Sequence, residues 1–579
     1  MKRLALTLLA LTLAAFAAPD IPAPTKATIA ATDAAVARGR GAPVPFVEYE
    51  AENAVTNGVQ IGPDRRFGQL AAEASGRRAV RLDKGSHSIA FTLDRPANAI
   101  TLRYAIPDAA DGSGIDASIG MFVGGKRIAS LALTSRHGWF YGRYPFTNDP
   151  KDGKAHHFFD HARLLLDRPL PAGTIVTLKL EAEDRTPWAA IDLADFELVP
   201  PPRAQPKGSL SLLDFGADPA GMRESGDALR RAVAAAREAG KPLWIPPGNF
   251  HVEGHVHVDR LTIEGAGMWY SVLRGEGLGF YGSAPPTGST AVVLRDFAVI
   301  GEVTERKDHL ALSGIGGSIG GGSVIERLWL QHHKVGLWFD GPMDGIRITG
   351  LRIFDMTADG LNFHCGVSNA VIEDSFIRGT GDDGLAAWSE KKPNRNLVFR
   401  NNTVIAPVLA NGIAIYGGRD ITVSGNIVAD TLTQGGGIHL GNRFKAVPLA
   451  GRIDIVDNAL IRAGSFDPNW KFGVGAFWFY ALDAPIAADI AVIRLDIIDS
   501  SEEAVSFIGS SVSGVSLRDA RIIRPGGFVA TLRSAGAARF DAIAVDPPKA
   551  AAILACNTRF RITAPFRKRA TAPCGPIDR

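Results

Sequence analysis

Cysteine is nearly absent: the 579 residues hold three, Cys365, Cys556 and Cys574. Three are too few for a disulfide framework, and no Cys or His pair stands at zinc-ligand spacing. Cys556 and Cys574 bracket a C-terminal loop and can pair in an oxidising compartment, whereas Cys365 ends a short strand and reads as a lone thiol. An excess of one charge is also missing, since 63 Lys and Arg stand against 60 Asp and Glu. That balance makes no electrostatic case for nucleic acid. Long hydrophobic runs are lacking except at the start, where Met1-Lys2-Arg3 precedes an apolar run from Leu4 to Ala18. The run is too short to span a bilayer comfortably. Its small-residue exit, Ala15-Phe16-Ala17, has the form of a secretory signal spanning 1–17. We therefore expect an exported protein, extracellular or periplasmic, free of the membrane after cleavage and monomeric.

Glycine (64) and proline (35) are plentiful and mark the domain joints. Residues 18–45, rich in Ala, Thr and Pro, read as a leader, and Val199–Gly208 contains the linker 200–208. Between them, 46–199 carries alternating strands such as Ala79–Leu82, Ser88–Leu93, Ile100–Tyr104 and Val176–Leu180, the pattern of an antiparallel β-sandwich. The aromatic segments Gly138–Phe146 and Ala155–Asp160 fall in its loops, either as a sugar-binding surface or as packing.

Beyond the linker, Leu213–Pro219, an apolar-spaced helix from Asp227 to Ala239 and Pro242–Phe250 form an opening unit suited to capping a stack of strands. The stack follows as a repeat. Val335-Gly-Leu-Trp-Phe, Asp359-Gly-Leu-Asn-Phe, Asp383-Gly-Leu-Ala-Ala, Asn411-Gly-Ile-Ala-Ile and Gly436-Gly-Ile-His-Leu recur at steps of 24, 24, 28 and 25 residues. Short strands at this period, separated by Gly, Asn and Asp, predict an all-β fold: a right-handed parallel β-helix over 209–545, with 546–579 as a C-terminal segment.

Two rungs carry aspartates, Asp359 on one and Asp382-Asp383 on the next. One Asp-Gly is ordinary turn chemistry. Stacked carboxylates are different, because crowding like charges costs free energy and needs a metal or catalysis to justify it. If Leu361 and Phe363 face the coil interior, alternation places Trp338, Asn362, Ala386, Ala414 and His439 in one outer column, beside Asp340, His364, Trp388, Tyr416 and Gly441. Trp338, Asn362, His364, Trp388, Tyr416 and His439 are the candidate substrate contacts. Asp359 and Asp383 should sit about 5 Å apart in one column. Asp382 is offset, and a turn could re-aim it toward them. Two carboxylates can activate a water while the third donates a proton; a separation of about 6.5–9.5 Å, suited to Asp359 with Asp382, corresponds to inversion at a sugar carbon.

Two resemblances sharpen this. Tyr49-Glu50-Ala51-Glu52-Asn53 and Ile191-Asp192-Leu193-Ala194-Asp195-Phe196 resemble the first and last strands of family 6 and family 35 carbohydrate-binding modules. That resemblance implies a structural calcium held by Glu50 and Glu52 with Asp192 or Asp195. Ala358-Asp359-Gly360, Gly381-Asp382-Asp383-Gly384 and Trp388-Ser389, behind such a module and a capped coil, resemble glycoside hydrolase family 87, the α-1,3-glucanases and mycodextranases. The resemblance implies inverting hydrolysis of α-1,3-linked glucan, with Asp382 as acid and Asp359 and Asp383 activating water. Family 28 polygalacturonases also place one Asp ahead of an Asp pair, but the His-Gly and Arg-Ile-Lys elements that grip their uronate are missing after it. A calcium-dependent polysaccharide lyase, with Arg378 or Lys334 as base, and a non-catalytic glycan-binding coil are the remaining alternatives.

Overall fold

The computed structural model describes residues 36, 39–144, 146–547, 552–556, 558–564 and 568–571. The signal, most of the leader and Cys574 lie outside the described residues. Two compact units divide at Pro201–Pro202, the second also taking in Asp33–Pro43.

The first unit is a sandwich of one six-stranded and one five-stranded sheet. Its opening strand, Phe46–Glu50, pairs antiparallel with its closing strand, Trp188–Glu197, with Glu50 opposite Leu193. The alternation read from the sequence buries Val80, Leu82, Ile89, Phe91, Ile100, Leu102, Val176 and Leu178 between the sheets. The loop aromatics pack among themselves: Trp139 meets Phe158 edge-on, and Phe146 lies 4.3 Å from the ring of His156.

The second unit is a parallel β-solenoid of about 12 turns. Its strands form a ladder in which Leu337, Leu361, Leu385, Ile413 and Ile438 lie in register, one per rung. These side chains and the Phe339–Phe363 column fill the interior, so every rung buries its apolar face against the next. Turns are held by an asparagine ladder, in which the Asn402 backbone N–H donates to Asn426 Oδ1 and that of Asn426 to Asn458 Oδ1. The preceding residues, Asn401, Gly425 and Asp457, all have φ between 53° and 66°, a region that Asn, Asp and Gly tolerate best. The helix Gly226–Ala239 caps the open end, burying Leu229, Ala232, Val233 and Ala236.

Two boundaries differ from expectation. The end of the leader is a strap on the coil: Gly41 N–H donates to Gly425 O (2.7 Å), Ala42 N–H to Thr403 Oγ1 (2.9 Å), and Arg40 pairs with Asp496. Alanine-rich composition suggested a spacer, but these backbone donors find acceptors along the coil edge. The coil also continues past 545, since Ala552–Ala555, Phe560–Thr563 and Lys568–Thr571 extend the ladder from Ala530–Asp541. Their short, weakly apolar strands blurred the repeat. Cys556 is disulfide-bonded and Cys365 is free.

Candidate active site

Five successive strands, Val335–Asp340, Leu361–His364, Leu385–Trp388, Ile413–Tyr416 and Ile438–Asn442, build one face. The register pairs Trp338, Asn362, Ala386, Ala414 and His439 in one column and Asp340, His364, Trp388, Tyr416 and Gly441 in the next. Both outer columns read from the sequence are thus in the structure.

Each aspartate sits just before its strand, where the chain bends and alternation no longer governs. Gly360 N–H donates to Asp383 O (3.0 Å), locking the two bends one above the other. Between the strands ending at Thr380 and beginning at Leu385, Asp382 turns back over its neighbours. The result brings one carboxylate oxygen each of Asp359, Asp382 and Asp383 within 4.8 Å of one another. That is closer than the 6.5–9.5 Å expected for Asp359 and Asp382, because the bend swings Asp382 inward.

Asp359 and Asp383 are buried, whereas the Asp382 side chain keeps 20% of its surface. Burial drives the Asp359 carboxyl well above the usual range, the charges of Asp382 and Asp383 add to the rise, and Asn362 and Arg306 oppose it. Asn362 Nδ2 donates to Asp359 Oδ2 at 2.7 Å. Asp383 is pushed up to about 7, by burial first and then by Asp382, while hydrogen bonds from Asn411 and Tyr416 limit the rise. Its Oδ1 accepts from Asn411 N–H (2.9 Å) and Nδ2 (2.8 Å), and its Oδ2 from Tyr416 Oη (2.8 Å). Burial and the Asp383 charge hold the Tyr416 phenol protonated, as a donor must be. Asn411 is fixed in turn through its Oδ1 by Trp478 Nε1 (2.8 Å) and Gly436 N–H (3.0 Å).

Asp382 receives Arg306 Nη1 at 2.6 Å. Arg306 belongs to the segment between Ile300 and Ser313, which Lys334 clamps by donating to the carbonyls of Lys307, Asp308 and Leu310. Lys334 is thereby engaged as a loop anchor, and Arg378 is fully buried against the Phe376 ring. Neither is placed to serve as the base that a lyase needs.

The remaining candidates separate by depth. Trp338, His364 and Trp388 form a partly exposed aromatic step, with ring centroids 5.2 and 4.8 Å apart; His364 Nδ1 lies 2.8 Å from Asp340 Oδ1. Asn362 and Tyr416 are buried and hold carboxylates. His439 has no exposed surface: it stacks on Trp478 at 3.8 Å, edge-on to Tyr416, and burial keeps it neutral. It packs against the ring of Tyr416, the phenol that donates to Asp383. Sequence reasoning missed Arg306, Asn411 and Trp478. Only Asn411 left a signal, since it continues the column of Asp359 and Asp383.

In the sandwich, Glu50, Glu52, Asp192 and Asp195 are all buried. Asp192 pairs with Arg103 and accepts from Ser75 N–H (2.9 Å). Glu50 is different. Burial, followed by Glu48, Glu52 and Asp192, drives it well above the usual range, and its buried Oε2 has no hydrogen-bond partner.

A β-solenoid presenting three close carboxylates on an aromatic face is the architecture of a polysaccharide-cleaving glycoside hydrolase. A profile described as alpha-1,3-glucanase catalytic domain D1 matches residues 43–199, and one described as alpha-1,3-glucanase catalytic domain D2 matches 223–451. The catalytic unit of the thermostable alpha-1,3-glucanase from Streptomyces thermodiastaticus strain HF3-3 is 38% identical, with a TM-score of 0.85 over 93% of this chain and 99% of that one. The chain belongs to the alpha-1,3-glucanases of glycoside hydrolase family 87. The Agl-KA catalytic domain shares the fold at 24% identity, with a TM-score of 0.83 over 91% of this chain and 98% of that one. A family 87 catalytic domain in complex with nigerose does so at 23% identity, with a TM-score of 0.76 over 92% and 99%. Among curated proteins, a 165-residue stretch is 28% identical to Protein CdcH of Halobacterium salinarum, covering 26% of this chain and 21% of that protein. The sandwich falls within the D1 match, so its likeness to carbohydrate-binding modules rests on its strand motifs alone.

Proposed function

We propose that the protein hydrolyses α-1,3-glucosidic bonds of α-glucan with inversion of configuration, using Asp359, Asp382 and Asp383. The cluster itself carries the acid–base chemistry; inversion rests on the likeness to family 87 and not on the carboxylate spacing. With three carboxyls this close and two of them buried, the site retains a proton near neutrality, so one carboxyl can donate while another accepts. The proton that burial keeps on Asp359 and Asp383 is shared with Asp382, the accessible member, which the likeness to family 87 assigns as donor to the leaving glycosidic oxygen; Asp359 and Asp383 are thereby left ionised. Asp383 and Asp359, held from behind by Tyr416, Asn411 and Asn362, take a proton from the attacking water. The water adds at the anomeric carbon as the bond to the leaving oxygen breaks, so an α-linkage yields a β-sugar. The solved family 87 relatives support this choice. In three of them a single aspartate is replaced by alanine, and the three positions are spaced twenty-three residues and then one, as Asp359, Asp382 and Asp383 are here.

We propose further that the apolar N-terminal run directs export, that the protein acts as a monomer, and that Glu50 with Glu52 holds a calcium ion in the sandwich. Carboxylate oxygens suit that ion, and the charge crowding at Glu50 favours a cation there. The enzymatic reading is tested by NMR of α-1,3-glucan during the first turnover events. The β-anomer should appear first and mutarotate later, whereas an α-anomer at first release, or an unsaturated product, would refute it.

A further inference from the structure

Phe444 sits in an expensive conformation and gains little burial for it. Its φ is +58°, in the left-handed region that bulky side chains avoid, Lys445 beside it has φ +56°, and 48% of the phenylalanine surface remains exposed. A large apolar side chain held in a strained backbone and left in water does not serve folding; such strain gathers where a function requires the placement.

The surroundings fix that placement. Trp388 Nε1 donates to the Phe444 carbonyl at 3.1 Å, Lys445 N–H donates to Asp483 Oδ2 at 2.7 Å, and Ala446 N–H closes the turn on Arg443 O at 3.2 Å. The Phe444 ring stands edge-on to Tyr416 with centroids 5.2 Å apart, and Tyr416 is the phenol bound to Asp383. The Arg443 guanidinium lies 4.0 Å from the Phe444 centroid and 5.2 Å from that of Tyr480. Arg443 Nε is buried with no hydrogen-bond partner. One ring face is therefore covered by an arginine with donors to spare, and the ring stands one side chain away from a catalytic carboxylate.

We infer that Phe444 and Arg443 form a glucosyl-binding subsite next to the scissile bond, the ring stacking on the C–H face of a sugar and the guanidinium donating to its hydroxyls. The inference rests on the α-glucanase reading. Glycine suits the backbone at this position, so Phe444→Gly separates ligand binding from folding.

The experiment measures kcat, KM and thermal midpoint on soluble α-1,3-gluco-oligosaccharides for the wild type and for Phe444→Gly, Phe444→Trp and Arg443→Gln. Phe444→Gly should raise KM about tenfold, roughly the loss of one aromatic stack, with the midpoint held or raised by relief of strain. Phe444→Trp should restore KM, and Arg443→Gln should raise it. A native KM for Phe444→Gly, or activity and midpoint falling together in Phe444→Gly and Phe444→Trp alike, overturns the subsite while leaving the glucanase reading intact. A wild type inert on α-1,3-linked oligosaccharides overturns both.

Discussion

Replacing Tyr416 by Phe removes one hydroxyl and keeps the ring, with its edge contacts to His439 and Phe444, so the face should survive. What is lost is the 2.8 Å donation to Asp383 Oδ2, one of the contacts holding that carboxyl to about 7 against burial. A hydrogen bond to a charged group is worth about 1.5–3 kcal/mol. At 1.36 kcal/mol per pK unit, its loss should lift the apparent pKa of the cluster by about 1–2 units. The direction follows from the role: a base works only when ionised, so the rate falls as pH drops below its pKa. The acidic limb of kcat/KM should move from near 7 in the wild type toward about 8–9 in Tyr416→Phe. At pH 6 the variant should be about 10- to 100-fold slower, with most of the deficit recovered by pH 9 to 10. The assay is initial-rate release of reducing ends from soluble α-1,3-oligosaccharide between pH 4 and 10. A limb that stays in place, moves to lower pH, or gives way to a uniform loss at every pH would refute the assignment of Asp383 as a base tuned by Tyr416.

Other perturbations probe the rest of the site and the sandwich. Asp382→Asn should cut hydrolysis by about 10² to 10⁴ with folding intact by circular dichroism, and its combination with Asp359→Asn should cost far less than the product of the single losses. Asp383→Asn should sacrifice activity yet stabilise the protein at pH 8. The folded-state pKa of Asp383 lies above its unfolded value, so the wild type keeps that contribution below about pH 4 and loses it as pH rises through about 7. The gap between the two melting curves should therefore open over that window, and a constant gap would count against it. Lys334→Met frees three carbonyls of the segment carrying Arg306, and limited proteolysis should then cut between 305 and 311 sooner than in the wild type. Glu50→Ala or Glu52→Ala should lower the melting temperature in calcium and abolish the difference between calcium and chelator.

The coil was legible because its information is periodic. Leu361, Leu385, Ile413 and Ile438 repeat a spacing that forces them into one inner column, and the outer columns follow by alternation. The aspartate cluster was legible for the same reason, being attached to two consecutive rungs. Alternation failed at Asp382, which lies in a bend, and so the carboxylate spacing was misjudged. Arg306 and Phe444 reach the face from loops without period, and their positions depend on contacts with Lys334 and Trp388 that no local pattern encodes. Burial was equally hidden: His439 occupies the expected column, yet Trp478, one rung further, closes over it. In the sandwich the acids were found, but the arginine on Asp192 comes from Arg103, 89 residues away along the chain.

The strap at Arg40–Ala42 has a mechanical consequence. A solenoid is held by nearest-neighbour contacts, so each rung can in principle peel from the one beside it. The strap meets Thr403, Gly425 and Asp496, and in the lateral ladder Thr403, Ile427, Ala459 and Asp496 mark four consecutive rungs. Chain from the far N-terminal side thus runs lengthwise across the stack and couples rungs that do not touch. Those four rungs should open as one unit, turning the stretch of coil behind the active site from a zipper into a clamp.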